Sequence, residues 1–244
     1  MIYLGKDPVG ISDTLSIDWD AVANGGSIEI MNNVVLSDSV TEIKASAFRG
    51  LPIKTIIGNG VSEIKSMAFY NCVKLISCDF PSIKVIGSEA FSQCSNLQNF
   101  TFNSIETLGG SSFRGTKIQY VVAPNLSKLN TDVFYGLSSL RCLDIGNKTI
   151  ENATFSGYVF DHTSACITIL RYNYVLPAVN GWFYQGCWLK NTSTPGTLYV
   201  WEDLIEDYQN HAIWGPLLAS NNNQILPIEG SIYETQYGDG TPIT

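Results

Sequence analysis

Histidine is nearly absent from this chain: His162 and His211 are the only two in 244 residues, and neither has a Ser or Cys nucleophile frame around it. Acid–base chemistry near neutral pH leans on histidine more than on any other side chain, so a catalytic centre of that kind is not expected. Charge is scarce as well. Charged residues make up 15%, with 14 Lys and Arg against 22 Asp and Glu and a net charge of −8. That balance excludes the clustered cations needed to grip a phosphate backbone, so nucleic acid is not an expected partner. No stretch approaches the about 18 apolar residues of a membrane span, and membrane insertion is not expected. The opening Met-Ile-Tyr-Leu-Gly-Lys-Asp-Pro lacks a charged start followed by an apolar core, so no secretory signal is read there. The six cysteines (72, 78, 94, 142, 166 and 187) form no Cys-x-x-Cys pair. Zinc ribbons and thioredoxin-like redox motifs are thereby excluded. No acidic loop has calcium-binding spacing either, and no cofactor is expected.

What the chain has is repetition. The stretch Val40-Thr-Glu-Ile-Lys-Ala-Ser-Ala-Phe48 returns as Val61-Ser-Glu-Ile-Lys-Ser-Met-Ala-Phe69 and again as Val85-Ile-Gly-Ser-Glu-Ala-Phe91. Anchor phenylalanines fall at 48, 69, 91, 113, 134 and 155, each preceded five residues earlier by an aliphatic: Ile43, Ile64, Ile86, Leu108, Leu129 and Ile150. A fixed period in the range of about 20–29 residues marks a leucine-rich-repeat solenoid. Within a unit, Leu97-Gln-Asn-Phe-Thr-Phe102 and Leu140-Arg-Cys-Leu-Asp-Ile145 end on apolar residues two apart, the period of a strand with one buried face. The segment from the aliphatic to the anchor, as in Ile86 to Phe91, predicts one turn of helix or 3₁₀. No unit can bury its apolar side alone, so neighbours stack over a shared core.

The same frame assigns the cysteines. Cys72 and Cys94 occupy one slot in successive units, and Cys78 takes an inward strand position, so these read as small buried hydrophobes. A bridge between Cys72 and Cys94 stays open at this point. Cys142 alone is expected to face outward.

Residues 1–35 lack the repeat and read as an N-terminal cap, with alternation at Leu15, Ile17, Trp19 and at Ile28 and Ile30. Residues 36–190 hold about seven units, the last irregular around Trp182 and Phe183. Residues 191–230 form a closing segment: a strand through Val200, a helix from Trp201 that ends at Trp214-Gly-Pro, and a last strand at Gln224 to Ile228. Residues 231–244 read as a mobile tail or linker.

The Val-Thr-Glu-Ile…Ala-Phe…Cys…Leu grammar of the unit resembles the BspA-like leucine-rich repeats, and Leu198 to Ile228 looks like the cap that often closes such arrays. The resemblance spans roughly residues 35–230. It departs from the family at Ser112, Val133 and Thr154, which stand where Ala precedes the anchor. What it implies is an extracellular or cell-surface protein of host-associated bacteria, their phages or protozoan parasites, engaged in adhesion. The family carries no catalytic residues.

The expected fold is therefore an α/β solenoid, a right-handed leucine-rich-repeat array with caps at both ends. The expected function is a non-enzymatic binding or adhesion module for a protein or glycan on a host or neighbouring cell. The alternative is a structural or receptor-binding accessory domain of a phage tail or fibre, associated with a virion. Oligomeric state is not legible. The candidate binding surface is the outward face of the strand ladder: Ser77, Asp79, Asn99, Thr101, Tyr120, Val122, Cys142 and Asp144. A second cluster, Tyr172, Tyr174, Trp182, Tyr184, Trp188, Trp201 and Trp214, reads chiefly as core filling under the closing segment.

Overall fold

The computed structural model describes residues 2–4, 14–15, 33–155, 167–176, 195–220 and 222–234. The chain winds through about six turns, each contributing a strand to one face and a second, shorter strand to another. The longer strands are β1 (Ile2–Leu4), β3 (Asn33–Leu36), β5 (Thr55–Ile57), β7 (Ser77–Asp79), β9 (Asn99–Phe100), β11 (Tyr120–Ala123), β13 (Cys142–Ile145), β15 (Ile167–Leu170), β16 (Thr197–Val200) and β17 (Gln224–Pro227). They form two parallel five-stranded sheets, β1-β3-β5-β7-β9 and β11-β13-β15-β16-β17. The two-residue strands β2 (Thr14–Leu15), β4 (Glu42–Ile43), β6 (Glu63–Ile64), β8 (Val85–Ile86), β10 (Thr107–Leu108), β12 (Lys128–Leu129) and β14 (Thr154–Phe155) make one unbroken seven-stranded sheet. Strands β1 and β2 thus add one more parallel rung ahead of the recognised repeats. Ile17, Trp19, Ile28 and Ile30 lie outside the described residues.

The helix expected between aliphatic and anchor does not form. The residue two before each of the first five anchors adopts a left-handed φ between 55° and 60° (Ser46, Met67, Glu89, Ser111, Asp132). The residue two after each of them is left-handed as well, at 59–74° (Gly50, Asn71, Gln93, Gly115, Gly136). A helix cannot continue through such residues. Instead, every second amide bonds across to the next rung: Phe48 N–H donates to Ala68 O, Phe69 to Ala90, Phe91 to Ser112 and Phe113 to Val133, at 2.7–3.1 Å. These inter-rung bonds hold a third ladder of turns, so the repeat is built from strands and turns, without the α component expected of it.

The core runs along the axis. Phe48, Phe69, Phe91 and Phe113 are fully buried and stack face to face, with centroids 5.0, 4.9 and 5.2 Å apart. Phe134 continues the row at 6.5 Å. The sixth anchor breaks the frame. Leu129 pairs with Phe155, so that ring fills the aliphatic slot of the short strand and packs edge-on against Tyr172. Cys72 and Cys94 are free. Their thiols donate to Phe48 O and Phe69 O in the preceding rungs, at 2.9 and 3.0 Å.

At the C-terminal end a 3₁₀ turn (Glu202–Leu204) leads into a helix, Ile205–Asn210, followed by a second helix, Trp214–Leu218. Trp214-Gly-Pro, expected to end a helix, begins one. Pro216 sits in the first turn, where a missing N–H costs nothing, and His211 Nδ1 accepts from the Ile213 and Trp214 amides. Trp214 and Tyr172 are buried, as their core-filling reading requires. Trp182, Tyr184 and Trp188 lie outside the described residues. Among the described residues no helix is long and apolar enough to cross a membrane.

Candidate functional site

The outward face of the long-strand ladder divides into two unlike halves. In the first half Ser77, Asp79, Asn99 and Thr101 stand beside Thr55 and Ile57, and all are exposed or half-buried. In the second half the outward positions become apolar (Tyr120, Val122, Cys142, Ile167, Ile169, Tyr199), and a further segment packs against all of these but Val122. Residues 228–234 fold back across the face. Ile228 and Tyr233 pack with Cys142 and Ile169 into a second, smaller core on the outside of the sheet. The Tyr233 ring meets Tyr199 edge-on at 4.7 Å.

This corrects two of the candidate positions. Cys142 and Asp144 do point outward, yet each is 3% exposed because the chain's own C-terminal segment covers them. Asp144 is held by Arg171, whose Nε and Nη2 donate to its two carboxylate oxygens at 2.6 and 2.7 Å. Arg171 Nη2 also donates to Tyr233 O at 2.7 Å. Burial pushes the Asp144 carboxyl up from its ordinary range, against the opposing pull of Arg171. Ser231–Glu234, expected to start a mobile tail, are thus a strap, with Tyr233 buried. The signals for it were the apolar run of outward positions and Arg171 directly after β15.

The structure gathers four other candidates around one feature. Strands β9 and β11 do not pair, and the long-strand ladder opens there into a wedge of about 210 Å³. Asn99 and Thr101 line one wall, and Tyr120 and Val122 the other. Gln98, Phe100 and Asn103, missed in the sequence, complete the first wall. The opening has a cause in volume. Phe100 and Phe102 occupy the two inward positions of this rung, where the next rung has Val121 and Ala123. Phe100 wedges among Phe91, Phe102 and Phe113 at 4.9–5.1 Å and stays half-buried. Burial also pushes the Cys78 thiol at the floor well up, leaving it neutral. Ser77 and Asp79 sit one rung away and do not line the wedge. Among the described residues no cluster of His, Cys, Asp and Glu could hold a metal ion.

Residues 27–141 match the BspA type leucine rich repeat region in six copies. This stretch is an array of BspA-type leucine-rich repeats. No curated protein matches it. Among solved structures it is similar to a leucine-rich repeat protein of T. pallidum, at 22% identity and TM-score 0.48, covering 55% of this chain and 77% of that one. A leucine-rich repeat protein from Bacteroides ovatus aligns at 17% identity and TM-score 0.45, covering 70% and 57%. A leucine-rich cell surface protein from Faecalibacterium prausnitzii aligns at 17% and 0.39, covering 59% and 56%. The six BspA-type copies end before the strap and the closing helices. The wedge lies inside the matched region, between the rungs of Asn99 and Tyr120.

Proposed function

We propose that this BspA-type array is a non-enzymatic binding module of a secreted or cell-surface protein, recognising a protein or glycan partner in adhesion. The observation that carries the reading is the asymmetry of the ladder face. Its apolar half is covered by the strap from β13 onward, while the half from β3 to the wedge is left uncovered and carries mainly small polar side chains, with Ile57 among them. A solenoid offers such a face as an extended surface for a partner. The six BspA-type repeats support the same reading, since such repeats occur typically in surface or secreted proteins.

An array of matrix proteins and glycans probed with the whole chain tests this. Binding is expected to fall at least tenfold in Asn99→Ala and Tyr120→Ala, with little change when Arg141, away from the wedge, is substituted by Ala. Silence across the array, or binding indifferent to Asn99 and Tyr120, would overturn it.

A further inference from the structure

We infer that the wedge between β9 and β11 is a subsite for one uncharged sugar ring, an inference that names the partner chemistry of the binding face proposed above.

Three observations point there. First, the lining holds no charged side chain. An ionic group entering it would lose water without gaining a counter-ion, so the site selects against anions and cations alike. Second, the polar groups on its wall are spare. The side chains of Gln98, Asn99, Thr101 and Asn103 have no hydrogen-bond partner among the described residues. Four asparagines elsewhere in the array bond internally instead: Asn96 Nδ2 donates to Val73 O, Asn125 to Asn103 O, Asn130 to Leu108 O and Asn147 to Pro124 O. A carboxamide presents a donor and an acceptor side by side, the match for two neighbouring hydroxyls. Third, Tyr120 on the opposite wall offers aromatic surface to this polar set, and the half-buried Phe100 adds a second ring to the lining, suited to the C–H face of a pyranose.

The shape chooses a ring over an extended peptide. The wedge is shut at both ends. Lys117 N–H donates to Leu97 O at 2.8 Å on one side, and Asn125 Nδ2 to Asn103 O at 2.8 Å on the other. A strand adding to the free edge of β9 would have to run through those closures, and the short-strand sheet holds the same two rungs together at β10 and β12. About 210 Å³ is also below the about 300–1,000 Å³ of a drug-sized site, which suits one ring.

Saturation-transfer NMR on the full chain tests the inference. The probes are the methyl glycosides of glucose, galactose, mannose, N-acetylglucosamine and N-acetylgalactosamine, with sialic acid as the charged control. At least one neutral glycoside is expected to bind saturably in the millimolar range, sialic acid not to compete, and Asn99→Ala and Tyr120→Ala each to weaken binding at least fivefold. Asn99 is exposed and Tyr120 is half-buried against the apolar cluster under the strap; unchanged thermal unfolding and unchanged shielding of the Cys142 thiol show that the variants are folded. No saturable neutral glycoside, or binding unaffected by either change, overturns the inference. So does displacement of the glycoside only by peptides selected against this face. Adhesion retained without glycoside binding sinks the subsite alone. Glycoside binding without any surface adhesion sinks the broader function and leaves the subsite standing.

Discussion

Arg171 and Asp144 lie side-on beneath Tyr233, joined by two parallel hydrogen bonds, and both are almost wholly buried. Together they tie β13, β15 and the strap at one point. A pair of this kind is sensitive to the loss of one member, because the remaining charge stays buried without compensation. Arg171→Met is therefore expected to cost about 3–5 kcal/mol. The double variant Arg171→Met, Asp144→Leu should recover most of that loss. Urea denaturation of the two singles and the double measures it, and a double variant as unstable as the sum of the singles contradicts it.

The strap makes Cys142 a reporter. Its thiol is shielded by Ile228 and Tyr233, while Cys72, Cys78 and Cys94 lie in the axial core. In the native protein all four should resist a thiol reagent. Tyr233→Ala removes the ring that closes over the sheet, and Cys142 labelling is expected to rise at least tenfold, with the core thiols unchanged. Peptide mapping by mass spectrometry separates them. Equal labelling of Cys142 in both proteins would show that the strap does not guard this face.

Much of the fold was legible because the buried positions repeat. Ile43, Phe48, Leu51 and their counterparts recur at fixed spacing, and the stacked rings occupy the slots that this spacing assigns them. The turn ladder was illegible since left-handed φ at Met67 or Glu89 leaves no residue-type signature; only Gly50, Gly115 and Gly136 hinted at it. Phe155 misled for another reason. It keeps the anchor's spacing from Phe134 while serving a different slot. The site was half legible: strand alternation placed Asn99, Thr101, Tyr120 and Val122 outward. It could not show that residues 228–234 return over Cys142 and Asp144, a contact between positions 62 residues apart for Arg171 and Tyr233.

Phe91 is the centre of the stacked row, with Phe69 at 4.9 Å and Phe113 at 5.2 Å on its two faces and Phe100 edge-on at 5.1 Å. Phe91→Ala should open a cavity that neighbouring rungs cannot collapse into, because their inter-rung bonds fix the spacing. The expected loss is about 3–5 kcal/mol, read from the denaturation midpoint. A loss under about 1 kcal/mol would mean the row is not what holds the rungs together.

Ser112 offers the opposite sign. It stands where Ala47, Ala68 and Ala90 precede their anchors, and its hydroxyl is buried without a hydrogen-bond partner among the described residues. Its backbone is fully used, with the amide donating to Gly109 O and the carbonyl accepting from Phe91. Taking a hydroxyl out of water without a partner costs about 1–3 kcal/mol. The alanine side chain already fits this slot in three earlier rungs, so Ser112→Ala leaves only a small void. The variant is expected to be more stable than the parent by about 1 kcal/mol, visible as a higher urea midpoint at unchanged slope. A lower midpoint would show that the hydroxyl has a partner in solution and that this departure from the repeat is used.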